Sequence, residues 1–165
     1  MDEHRLGLKP IARRVWTPPG QRAVVPVEDR YEWLYVYGFV RPTTGQTFWL
    51  LLPTVSIAAF TIALVHFSQA VAQEPLYLML DRAGYHTSPR VQFPDHIRPL
   101  FQPAYSPELQ PAEHLWPLVD HPVVNRHFVD MDALELTVMD QCCWLQDHPD
   151  IIRSATCFHW WPNTA

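Results

Sequence analysis

Seventeen prolines against five glycines restrict this 165-residue chain to short elements with frequent breaks. Proline lacks a backbone donor and is poorly tolerated inside helices and central strands. A dense group of prolines surrounds one acid in the stretch SPELQPAEHLWP, Ser106 to Pro117. Pro111 suits the first position of a helix, where the missing N–H would have been unpaired anyway. Glu113 then falls in the first turn, where free N–H groups and the helix dipole favour negative charge. The segment is predicted to hold an ionised carboxylate at one fixed point.

Composition bounds what that carboxylate can serve. The length suits one domain. A 48% hydrophobic and 13% aromatic content supplies a sizeable core and excludes a globally disordered chain. The formal charge of −5 carries no general basic footprint of the kind that binds nucleic acid by charge alone. Cys142, Cys143 and Cys157 lack zinc-ligand spacing and follow no signal peptide, so they read as reduced thiols of a cytoplasmic protein. The apolar run from Trp49 to Phe67 approaches membrane-spanning length. Pro53, Thr54, Ser56 and Thr61 interrupt it and no positive cluster flanks it, so no membrane association is expected.

Periodicity predicts a mixed α/β domain. Arg13 to Val27 reads as two short extended pieces around a Pro-Pro-Gly turn. Tyr31 to Leu52 is rich in aromatic and β-branched residues, with PTTG in the middle, and predicts a hairpin. A buried helix is predicted over Ile57 to Val71. LYLMLD, Leu76 to Asp81, is continuously apolar, as a strand buried on both faces should be, and puts Asp81 at its carboxyl end. A short strand follows at Ile97 to Phe101, then a proline-rich loop and a helix from Pro111, kinked by Pro117 and stopped by Pro122. A last helix over Met131 to Asp147 carries Leu134, Val138, Cys142 and Leu145 near helical spacing.

Three acids stand out by position: Asp2 near the start, Asp81 at the end of the buried strand, and Glu113 in the first turn of the helix. An acid ending a buried strand is costly without a partner or ligand. Carboxylates converging at one rim suit Mg²⁺ or Mn²⁺, and two such ions serve phosphodiester chemistry. Each acid also has a plainer reading. Asp2 could be a disordered terminal residue, Asp81 a turn acid, and Glu113 a partner for the helix dipole alone.

LMLDRAGYHTS, followed downstream by FQPAYSPELQPAEHLWP, resembles the catalytic core of a DDE transposase, and the opening MDEHRLGLKPIARRVWTPPGQ resembles the part carrying the first catalytic acid. The similarity is to bacterial insertion-sequence transposases of the mariner-related group and extends from Asp2 to about Phe128. It implies a ribonuclease-H-like fold, a mixed central sheet flanked by helices. It also implies residues 1–128 as catalytic domain, with 129–165 a C-terminal helix and tail packed on it. The implied activity is DNA cutting and joining with two Mg²⁺ or Mn²⁺ ions. Asp2, Asp81 and Glu113 would be catalytic and hold the metals, with Asp81 bridging both. Arg82 and His86 are the candidates for DNA or phosphate contact. Against that, Arg82 could pair with an acid, and His86 could bond backbone within its loop. Trp116 is expected as a core anchor rather than a base-stacking surface, and His114 on the helix surface.

Departures from the family pattern shape the remaining expectations. Gln110 stands where the family has Asn, a better helix cap. Asp120-His121-Pro122 interrupts a helix that should run further. Asp2 lies so near Met1 that the first half of its strand is not represented, and a helix-turn-helix region for transposon ends is not represented either. The expected partners are DNA (transposon ends and target), a separate helix-turn-helix chain, and a second copy meeting through the Trp33–Trp49 hairpin. The expected location is the cytoplasm, on the nucleoid when DNA is bound. The rival expectations are a catalytically inactive remnant or partner subunit, and a host nuclease of the same fold.

Overall fold

The structure, a computed structural model, describes residues 1–22, 24, 30–104 and 106–159. Its order is β1 (Asp2–Gly7), β2 (Trp33–Arg41), β3 (Gln46–Leu52), α1 (Ile57–Ala70), β4 (Leu76–Leu80), β5 (Ile97–Phe101), 3-10 turns at Pro107–Leu109 and Pro111–Leu115, α2 (Trp116–Asp120), α3 (Met131–Gln146) and α4 (Pro149–Thr156). The two longest helices occupy the proline-free intervals 54–74 and 123–148. Ser56 caps α1 by accepting from the Ala59 N–H, and Asp130 caps α3 by accepting from Ala133.

β1, β2 and β3 form an antiparallel ladder, with Asp2 opposite Gly38 and Glu3 opposite Tyr37. β4 and β5 pair in parallel. The two ladders meet at Met1, whose backbone N donates to the Met79 carbonyl at 2.9 Å. Among the described residues, antiparallel and parallel pairing thus both occur, in two ladders that share no strand. Period-two alternation along β2 sends Leu34 and Val36 to one core, and Tyr37 and Phe39 to the other. The first core also takes Leu115, Trp116 and Val119, together with Leu134, Val138, Cys142, Leu145 and Ile152 from α3 and α4. The second takes Phe60 and Leu64 of α1, Leu78 and Leu80 of β4, and Ile97 of β5.

Several expectations need correction. The Pro-Pro-Gly turn forms, with Gln21 N donating to the Pro18 carbonyl and Gly20 at φ +81. No paired strand flanks it among the described residues, and the part of that prediction falling on residues 23 and 25–27 lies outside them. Pro117 does not kink a helix. It sits in the first turn of α2, where the 3-10 turn gives way to α geometry and no N–H is needed. α4, not expected as a separate helix, begins with Pro149 at its N-terminus. Among the described residues, no helix is long and apolar enough to cross a membrane.

Candidate active site

Asp2, Asp81 and Glu113 come from β1, the end of β4 and the 3-10 turn Pro111–Leu115, three segments remote in sequence. They line one cavity of about 430 Å³, together with Arg82, Gln102 and Gln110 among others. Among the predicted site residues, only His86 does not line it. Glu113 sits in the first turn after Pro111, as the proline pattern required. Burial, and then the charges of Asp2 and Asp81, push the Glu113 carboxyl above its ordinary value, although His4 opposes this. Burial also raises the Asp2 carboxyl, against the pull of a hydrogen bond from Trp116.

Each acid is held differently. Asp2 Oδ2 accepts from Trp116 Nε1 at 2.8 Å. Trp116 is therefore a core anchor with a second task that sequence reasoning missed. Its ring stacks on His4 with centroids 4.9 Å apart. His4 Nε2 lies 2.7 Å from Asp120 Oδ1, and Arg13 Nη2 donates to Asp120 Oδ2 at 3.1 Å. Asp120, expected only as a helix interruption, is thus a buried acid bonded to two side chains, His4 and Arg13. Gly38 makes room for this stack: a Cβ there would stand 2.8 Å from Trp116 Cη2 and 3.0 Å from Trp49 Cζ3.

Asp81 is held from the opposite face. Its Oδ1 accepts from Ala83 N at 3.0 Å and faces His86 Nδ1 at 2.6 Å. His86 is 1% exposed, and its Nε2 meets Glu3 Oε1 at 3.0 Å. Burial disfavours the imidazolium, yet the Glu3 and Asp81 contacts outweigh it and raise the His86 pKa. Both ring nitrogens are engaged and the ring is enclosed, so His86 has no donor left for a DNA phosphate. The alternative expectation fails as well, since its partners are carboxylates and not backbone. Arg82 is exposed, lines the cavity and donates Nε to the Gln102 carbonyl at 3.0 Å, so it pairs with backbone and not with an acid. His114 is exposed, as expected, with its ring 4.9 Å from Phe158.

The donor set suits a hard divalent cation, with three carboxylates around one cavity. Gln102 Nε2 and Gln110 Oε1 are buried without hydrogen-bond partners, and both residues line that cavity. Gln110 does not cap the following turn with its side chain. Its Nε2 instead donates to the Met1 carbonyl at 2.9 Å, tying the turn that carries Glu113 to the strand that carries Asp2. Among the described residues no three His, Cys, Asp or Glu side chains stand close enough together to hold a metal ion as they are placed.

Residues 1–135 match the DDE superfamily endonuclease family, and the chain belongs to it. A protein of Sinorhizobium fredii (strain NBRC 101917 / NGR234), described as uncharacterized protein y4pE/y4sA, is 34% identical over 134 residues, 78% of this chain and 96% of that one. Among solved structures, the Mos1 mariner paired end complex with Mn superposes with a TM-score of 0.61 at 17% identity, covering 96% of this chain and 55% of that one. The Mos1 paired-end complex with the left transposon end gives 0.59 at 17% identity, over 94% of this chain and 54% of that one. The fold is therefore the ribonuclease-H-like one of the DDE enzymes. The chain spans about half the length of the Mos1 chains it matches.

Proposed function

We propose that this chain is the catalytic domain of an insertion-sequence transposase that cuts and joins DNA, with Asp2, Asp81 and Glu113 as its metal-holding acids. The observation that carries the reading is the meeting of these acids at one cavity in a DDE-family chain. When bound there, two Mg²⁺ or Mn²⁺ ions would activate the attacking oxygen and stabilise the departing one. The chain's own part is to orient the ligands: Trp116 holds Asp2, the His86 contact holds Asp81, and Pro111 sets the turn for Glu113. Arg82, exposed at the cavity rim, is the candidate for a DNA phosphate. Residues 1–128 are the catalytic unit in this reading, and α3 and α4 beyond it pack on the same core through Leu134, Val138, Cys142, Leu145 and Ile152. DNA ends and target are the partners, within the bacterial cytoplasm. A second copy meeting through the hairpin would have to use β3, because β2 is covered on both edges by β1 and β3.

The decisive test is thermal melting with and without Mn²⁺ or Mg²⁺, followed by nicking of duplex DNA. Metal should raise the melting temperature, and Asp81→Asn should remove that rise. An unchanged rise in the variant would overturn the assignment. A second reading is a partner subunit or inactive remnant that acts only with a separate DNA-binding chain, or not at all. It predicts metal binding without DNA cleavage, until a helix-turn-helix chain is added in the first case and under all conditions in the second.

A further inference from the structure

Outside the cavity, a buried chain of polar side chains runs from β1 to the end of β4. The Glu3 side chain is 4% exposed, and a carboxylate so enclosed is costly unless its oxygens are bonded. Its Oε2 accepts from the Tyr85 hydroxyl at 3.1 Å and its Oε1 from His86 Nε2 at 3.0 Å. The opposite edge of His86 reaches Asp81 Oδ1 at 2.6 Å. Phe60 and Tyr85 enclose the imidazole, with ring centroids 4.5 Å and 4.4 Å away. These walls leave the ring no partners but the two carboxylates.

Resting on the reading of Asp81 as a metal ligand, we propose that Glu3 and His86 are positioning residues that fix the Asp81 carboxylate toward the cavity. The Asp81 side chain is 52% exposed and would otherwise be tethered only through Ala83 N. Both tethers use Oδ1. Among the described residues Oδ2 carries no hydrogen bond, so the arrangement immobilises one oxygen and leaves the other for a cation. Metal-bound side chains are oriented in this way by outer partners whose loss typically weakens metal binding by roughly 10- to 100-fold. The relay has a second consequence. Neighbouring residues of one strand point to opposite faces, so Asp2 and Glu3 are directed apart. Through Glu3 the strand that carries Asp2 is locked to the strand end that carries Asp81. β1 and β4 share no ladder, so this side-chain link, with the Met1 N to Met79 carbonyl bond, sets the separation of two ligands.

The test is Mn²⁺ affinity by electron paramagnetic resonance on the whole chain, with melting in EDTA as the measure of fold. Wild type should bind Mn²⁺ and Asp81→Asn should not. Glu3→Ala and His86→Ala should weaken binding by roughly 10-fold or more. Glu3→Gln, which keeps an acceptor oxygen for His86 Nε2, should weaken it less than Glu3→Ala. A lower melting temperature with unchanged Mn²⁺ affinity in Glu3→Ala would show a purely structural network and overturn the relay alone. If His86→Ala fails to fold, the Glu3 pair of variants decides the matter. Absence of binding in wild type, or unchanged binding in Asp81→Asn, would instead overturn the metal site, and the relay with it.

Discussion

The two faces of β1 solve the same problem with different chemistry. On one face, Asp2 is held by an aromatic donor: Trp116 gives it an N–H and leans on His4, which meets Asp120, itself bonded by Arg13. On the other, Asp81 is held by an imidazole clamped between two carboxylates. The first arrangement depends on packing, since the indole must fit over Gly38. The second depends on charge and hydrogen bonding in an enclosed space. A core change should therefore disturb Asp2 first, while loss of a polar partner should disturb Asp81 first.

The largest expected effect lies on the polar face. Asp81→Asn should abolish metal-induced stabilisation while the fold in EDTA persists, because the Asp81 side chain is half exposed and Asn keeps an oxygen acceptor for Ala83 N and His86 Nδ1. Next comes Gly38→Ala. Its Cβ meets rigid indole atoms and not the end of a flexible chain, so melting or urea titration should report a loss of about 1–3 kcal/mol, as overpacked sites do. If the loss were near zero, the packing account of Asp2 would fail. Trp116→Phe keeps most of the ring and removes the N–H to Asp2, at a cost of about 1 kcal/mol in the same titration. Metal affinity should fall with it, by less than in Asp81→Asn.

The smallest effect is a dependence on pH. Asp2 has its pKa raised by burial, so its folded form holds a proton more tightly than its unfolded form. That contribution to stability is fully present below the unfolded carboxylate value of about 4, and is lost as pH rises through the raised folded value. Asp2→Asn keeps an acceptor for Trp116 and removes the titration. Without metal, its melting temperature relative to wild type should therefore increase from acid to neutral pH. A flat difference would mean that Asp2 carries no such strain. A variant stabler than wild type yet unable to bind Mn²⁺ would be the ordinary trade between stability and function.

Much of the local structure was legible because short-range chemistry decides it. The Tyr31–Leu52 hairpin, the helix after Ser56, the strand ending before Asp81 and the helix with Leu134, Val138, Cys142 and Leu145 all follow from period, capping and breakers. Pro111 likewise announced the turn that carries Glu113. Less legible were partners distant in the chain. Glu3 drew no expectation beside Asp2, and Asp120 was expected only as part of a helix interruption. Only strand alternation gave a signal for Glu3, by directing it away from Asp2. His86 was read as a loop residue because nothing in LDRAGYHTS reports that its ring will be enclosed by Phe60 and Tyr85.

The order of residues by itself determined the hairpin, α1, β4, β5 and α3, and put Asp81 and Glu113 at element ends, since these depend on neighbours within a few positions. It did not determine that Trp116 donates to Asp2, or that His86 joins Glu3 to Asp81, 114 positions apart in one case and 83 and 5 in the other. Those contacts exist because tertiary packing brings β1 to the end of β4 and to the Pro111–Asp120 segment. Only in that enclosure do carboxylates lose water and take fixed protein donors in its place.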